Sequence, residues 1–177
     1  MRKIILKISI GYQWTKDSII KDQKWQFLRK IAQSAADSIQ KKSNQDFQII
    51  VDVNRLRSAH GGIILNEIRQ RIMKSDVLIF DVEEQNKNVY FELGMALATR
   101  EESRDVFVFS KSKDSIPSDL QGFLISYYEG TDEYKLIDPK GFHAAIRSVL
   151  IKKLRENGYM CSDDSDTFLE TESEEEN

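Results

Sequence analysis

Val77, Leu78, Ile79 and Phe80 form an unbroken apolar run that Val82 continues past Asp81. A strand with one wet face would alternate apolar and polar residues. A strand apolar on both faces has to be covered on both, as in a parallel sheet with helices on either side. The rest of the chain repeats the theme. Strands are expected over Ile4–Ile10, Phe47–Val53, Asp105–Ser110 and Leu124–Tyr128. Helices are expected over Asp22–Lys42, Gly62–Lys74, Asn88–Arg100 and Phe142–Asn157, where apolar residues recur at three- and four-residue spacing. A short helical turn, Ser118–Phe123, follows Pro117. Strands alternating with helices predict an α/β fold: a single flavodoxin-like domain with a five-stranded parallel sheet of order 2-1-3-4-5, flanked by helices.

The charge balance divides the chain. The segment Ser162–Asn177 holds eight acidic residues and no base, so residues 1–161 carry 26 basic and 21 acidic residues, about +5. The expected organisation is one domain over residues 1–160 and an acidic, disordered tail over 161–177. A mildly basic body suits an anionic ligand such as a nucleotide. No nucleic-acid-binding motif is present.

Supply limits the chemistry. Cys161 is the only cysteine and His60 and His143 the only histidines, which argues against an internal disulfide, a Cys- or His-based metal centre and a Ser-His-Asp triad. No metal is therefore expected, nor a resident cofactor. The amino terminus makes a poor signal peptide because Lys7 interrupts its apolar run. No run is long enough to span a bilayer. A cytoplasmic protein without a membrane partner is the expectation.

In a sheet of this order, ligands sit beyond the carboxyl ends of strands 1 and 3, where the strand order reverses. Here those ends carry Gly11, Tyr12, Gln13 and Trp14, and the stretch from Asp81 to Asn88. Glu92 follows, the only charged residue between Asn88 and Ala98. A carboxylate is costly to bury alone, so an isolated Glu in an apolar helix start points to a pocket that meets something cationic. The plainer reading is a solvent-facing Glu favoured by the positive end of the helix dipole. Tyr12 and Trp14 suit stacking on a base, or ordinary loop packing. The run from Arg55 to Gly62 brings backbone amides, Gly61 and Gly62 to a helix start, an arrangement that suits phosphate or is simply a polar connection.

Ser75-Asp76-Val77-Leu78-Ile79-Phe80-Asp81-Val82, followed by Asn86-Lys87-Asn88-Val89-Tyr90-Phe91-Glu92-Leu93-Gly94-Met95-Ala96, resembles the pattern SDxxIxDxTxxNxNVxxELGxA of TIR-like proteins in the nucleoside 2-deoxyribosyltransferase superfamily. Gly61-Gly62-Ile63-Ile64 and Ile116-Pro117-Ser118-Asp119-Leu120 resemble two further elements of it, so the likeness spans roughly residues 4–130. Deoxyribosyltransferases proper carry Asp-Gly-Thr character where this chain has Asn86, Asn88 and Val89. The resemblance implies cleavage of the N-glycosidic bond of NAD, a related nucleotide or a nucleoside, in bacterial antiviral defence or nucleotide metabolism. NAD enters as a substrate rather than a cofactor. Glu92 matches the catalytic Glu. Asp81 matches the acidic residue at the end of the third strand, with Gly11, Tyr12, Trp14, Asn86, Asn88, Gly61 and Gly62 as substrate-binding candidates. Asp81 also reads as a structural residue capping its loop. A homo-oligomer or a partner defence protein is implied as well, with Tyr12 and Trp14 as the exposed aromatics for such a contact. The competing function is a non-catalytic nucleotide-signal sensor or protein-interaction module. A phosphoacceptor receiver is disfavoured, because Gly11-Tyr12-Gln13 stands where the usual acidic pair would be.

Overall fold

The computed structural model describes residues 2–12, 18–42, 47–56, 64–100, 105–112, 116–120, 125–130 and 135–159. Gln13, Trp14, His60, Gly61, Gly62, Cys161 and the acidic tail lie outside them. The strands are β1 (Arg2–Gly11), β2 (Phe47–Arg55), β3 (Val77–Asp81), β4 (Val106–Ser110), β5 (Ile125–Glu129) and β6 (Lys135–Leu136). The helices are α1 (Ser18–Lys42), α2 (Ile64–Lys74), α3 (Lys87–Thr99) and α4 (Pro139–Glu156), with a 3-10 turn at Ser118–Leu120.

The strands form one sheet of order β2-β1-β3-β4-β5-β6. The first five run parallel and β6 pairs antiparallel with β5, through Tyr128–Leu136 and Glu129–Lys135. The α/β class stands as expected. The five-stranded, wholly parallel sheet does not, because a sixth strand extends it. At two residues β6 is too short to carry a period, though its Leu136 is fully buried. The helix α4 begins three residues ahead of the expected Phe142. Asp138 accepts from the Gly141 N–H at 2.9 Å, and Pro139 occupies the first turn, where its missing N–H costs nothing.

Each sheet face buries its own core. On one side, alternate β1 residues Ile4, Leu6, Ile8 and Ile10 meet Ala32, Ala35 and Ile39 of α1 and Ile146, Leu150 and Leu154 of α4. On the other, Leu78 and Phe80 of β3 meet Ile68 and Ile72 of α2 and Val89, Leu93 and Ala96 of α3. All five residues of β3 are buried, as its two-sided apolar run requires.

The amino ends of the central strands are tied by charge. Asp76 accepts from the Lys7 backbone N–H at 2.7 Å and pairs with Lys153 of α4. Arg100, just past α3, pairs with Asp105 and donates to the carbonyls of Ile72 (2.7 Å) and Ser75. One guanidinium thus joins the ends of α2 and α3 to the starts of β3 and β4. Ser75 Oγ lies 2.7 Å from Ser9 Oγ and donates to the Arg71 carbonyl at 2.8 Å.

Candidate active site at the carboxyl edge of the sheet

The chain turns sharply between β3 and α3. Gln85 has φ 48°, in the left-handed region, and its N–H donates to the Val82 carbonyl at 3.0 Å. Asn86 then caps α3, accepting from the Asn88 N–H at 2.9 Å. Asn86 therefore spends its side-chain oxygen on the helix, while Asn88 stays exposed. From this start, Val89, Leu93 and Ala96 face the sheet and Glu92 stands on the flank of that buried stripe.

The flank brings Glu92 against the end of β1. A β-carbon placed on Gly11 would lie 2.9 Å from Glu92 Oε2 and 2.7 Å from the Phe80 ring. The missing side chain of Gly11 is what lets the carboxylate sit there. Gly11 pairs with Phe80 across the β1–β3 ladder, so the contact falls at the reversal point of the strand order. Among the described residues no hydrogen-bond donor or cation engages Glu92. Burial raises its pKa from 4.5 to about 7, because removal from water penalises the charged form. The carboxyl group is thus divided between protonated and ionised forms near neutral pH, and is ready to meet a positive charge.

Asp81 is handled differently. It is only 8% exposed, and it accepts from the Tyr128 hydroxyl at 3.1 Å through each oxygen and from the Glu83 N–H at 3.2 Å. It follows Val77 and Ile79 in the alternation of β3, so its side chain points to the α1–α4 face, where Tyr128 also packs. Glu92 approaches from the α2–α3 face. The two carboxylates share an edge of the sheet and not one face of it.

Tyr12 lies on the α1–α4 side as well, half-buried against the core, with the Arg55 guanidinium 5.7 Å from its ring centroid. It is thus a packed residue, contrary to the exposed aromatic expected from the sequence. Trp14, Gly61 and Gly62 fall outside the described residues. Glu83 was not singled out in the sequence. It accepts from Ser110 Oγ at 2.8 Å and the Lys111 N–H at 2.7 Å, binding the loop after β3 to the end of β4. Tyr128 was missed too, and Lys111 lies 5.8 Å from the centroid of its ring. Both contacts join segments far apart in the chain, where no local pattern signals them.

A cavity of about 500 Å³ lies at the opposite, amino edge, lined in part by Asp76, Arg100, Asp105 and Lys153. These four charges are already paired in holding the helices; Lys152 and Glu156 also line the cavity. Among the described residues, no cluster of three His, Cys, Asp or Glu side chains is placed to hold a metal. No helix among them is long and apolar enough to cross a membrane. No protein-family model matches the chain, and no curated protein matches it either.

Proposed function

We propose that the chain is an N-glycosidase that breaks the bond between base and ribose in NAD or a related nucleotide or nucleoside, with Glu92 as the acting carboxylate. The observation that carries this reading is a half-buried carboxylate, without a described partner, set against Gly11 at the point where the strand order reverses. N-glycosidic cleavage builds positive charge on the ribose ring. A carboxylate held in apolar surroundings stabilises that charge more than one in water does. An arriving cation favours the ionised form of Glu92, so the group is recruited by the charge it serves.

The engagement of Asp81 bears on the leaving group. A neutral nucleobase leaves poorly without protonation. Asp81 already accepts from Tyr128 and the Glu83 N–H. Nicotinamide departs as a neutral molecule from a pyridinium and needs no acid, so pyridinium nucleotides fit one carboxylate better than neutral nucleosides do. The same engagement favours a second reading, a non-catalytic sensor that binds a nucleotide signal on this edge. A role in bacterial antiviral defence or nucleotide metabolism, and a homo-oligomer or partner defence protein, follow from the resemblance. Tyr12 lends no weight to the assembly, since it packs inward.

Incubation with NAD and with deoxynucleosides, followed by chromatography for free base, separates the two readings. Base release by the wild type and its loss in Glu92→Gln support the N-glycosidase. Wild-type turnover in Glu92→Gln removes Glu92 from the chemistry. Binding without release favours the sensor.

A further inference from the structure

The first strand outruns its second neighbour. β1 pairs with β2 from Arg2 onward, but with β3 only from Ile8. Lys7 marks the boundary. Its N–H donates to the Asp76 carboxylate and its carbonyl accepts from the Asp76 N–H, each at 2.7 Å. Alternate residues of a strand turn their backbone groups to the same side. The N–H and C=O of Ile5 and Lys3 therefore point the way those of Lys7 do, while Ile10, of the other parity, accepts from the Leu56 N–H on the β2 side. Among the described residues nothing pairs with Ile5 or Lys3 there. β1 thus presents an unpaired edge beneath the start of β3. Its two faces differ. Ile4 and Leu6 are buried in the first core, whereas Lys3, Ile5 and Lys7 are exposed, with Ile5 opposite the half-buried Ile50.

We infer that the acidic segment of this chain adds to the Lys3–Ile5 edge as an extended strand, through Thr167-Phe168-Leu169-Glu170-Thr171. Residues after Tyr159 lie outside the described ones, so their sequence and the place of Tyr159 carry the fit. The helix α4 runs down to this edge: Lys153 pairs with Asp76, and Tyr159 donates to the Leu154 carbonyl and packs on the core that holds Ile4. From Tyr159 to Thr167 an extended chain reaches about 26 Å. Thr and Phe favour strands, and Ser162–Asn177 contains no Gly or Pro to oppose one. Strand alternation puts Phe168 and Leu169 on opposite faces, so one of them covers Ile5. Charge favours this occupant. Exposed Lys3, Lys7, Lys74 and Lys152 stand around the edge against Asp52 and Glu156. Asp163, Asp164 and Asp166 precede the apolar pair, and Glu170 and Glu172 follow it. Lysines on a strand edge repel the same edge of a second copy and accept an acidic segment. Main-chain bonds supply the affinity, and the entropy of ordering the segment offsets much of it. Docking is therefore partial, and the edge still exchanges its amide protons before the centre of the sheet.

Native-state hydrogen exchange of the full chain at low ionic strength tests this, in the wild type and in Leu169→Pro. Proline removes a donor and does not sit within a paired strand. Position 169 belongs to neither described core, so both cores stay as they are. The Ile5 and Lys3 amides should exchange at least about threefold more slowly in the wild type, and the Ile4 and Leu6 amides, which face β2, should differ less. Ile5→Cys, joined in a Cys161→Ser background with either Phe168→Cys or Leu169→Cys, gives a second readout. One of the two pairs should form a disulfide within a single chain under mild oxidation, and the other should not, because only one face meets Ile5. Equal exchange of Ile5 and Lys3 in the wild type and Leu169→Pro overturns the inference. So does a disulfide in neither pair, or one formed equally in both.

Discussion

The hydroxyl of Tyr128 stands 3.1 Å from both carboxylate oxygens of Asp81, joining the end of β3 to β5 across β4. Seen alone in the sequence, Asp81 is a loose acid at a strand end beside a candidate site. In the fold it holds three strands in line. Tyr128→Phe removes the shared donor and should cost about 1–3 kcal/mol, the range for leaving a buried acceptor without its partner. Urea unfolding measures it. Base release, where the wild type shows it, should survive in Tyr128→Phe. A collapse of turnover in a folded variant would tie Asp81 to the reaction.

Glu92 makes stability depend on pH. Its pKa is about 7 in the fold and near 4.5 when unfolded, so the folded state holds the proton more tightly. The contribution is fully present below pH about 4.5, is lost as pH rises through about 7, and changes little above that. The loss amounts to about 1–2 kcal/mol once partial exposure to water is allowed for. Melting temperatures of the wild type should fall across this window relative to Glu92→Gln, which has no proton to lose there. Parallel curves for the two proteins would refute the assignment. Base release, where the wild type shows it, should run the opposite way, rising with pH as the carboxylate ionises.

Gly11→Ala should disturb both core and site. The added methyl meets the buried Phe80 ring at 2.7 Å and Glu92 Oε2 at 2.9 Å, so one or both must move. Overpacking of this kind costs about 1–3 kcal/mol. The pH midpoint of the melting curve should shift with it, because Glu92 is displaced from the surroundings that raise its pKa. An unchanged midpoint would show that Gly11 does not set the position of the carboxylate.

Asp76→Asn should be a stability variant without a functional phenotype. It weakens the tie to Lys7 and Lys153 at the amino edge, for a loss of about 1–3 kcal/mol by chemical denaturation. Ligand binding at the opposite edge, followed by calorimetry, should match the wild type at temperatures where both are folded.

The motif that runs from Ser75 to Ala96 divides physically in two. Its first half, Ser75-Asp76, anchors the amino edge; its second half, Asn86 to Glu92, builds the carboxyl edge. A linear pattern shows that both matter and cannot show that they act at opposite ends of a strand. The α/β class was legible because Val77–Phe80 has no polar face to offer water; the start of α3 was expected one residue late, at Asn88, because Asn86 was read as a substrate contact and not as the cap it is. The approach of Glu92 to Gly11 was readable only as a convergence of loops, since the contact depends on the β1–β3 register. The Tyr128–Asp81 bond spans 47 positions and has no local trace. The start of α4 could have been read, because Asp138-Pro139 is a cap followed by a first-turn proline.

The ladder of β1 is uneven in depth. Ile8 is the first β1 residue to pair with β3, so Arg2–Leu6 pair with β2 alone, and the Asp76 tie at Lys7 marks where the second partner begins. The overhang is a two-stranded ribbon, and Ile5 within it is 42% exposed. Two-stranded ribbons are marginal by themselves, and this one is covered on one face only, through Ile4 and Leu6 in the first core. Thermal fluctuations should therefore part this end of the sheet without melting the centre, and amide protons of the overhang should exchange with solvent well before those of Ile8–Gly11. The carboxyl edge that holds Glu92 would keep its shape while the far end of the same strand breathes.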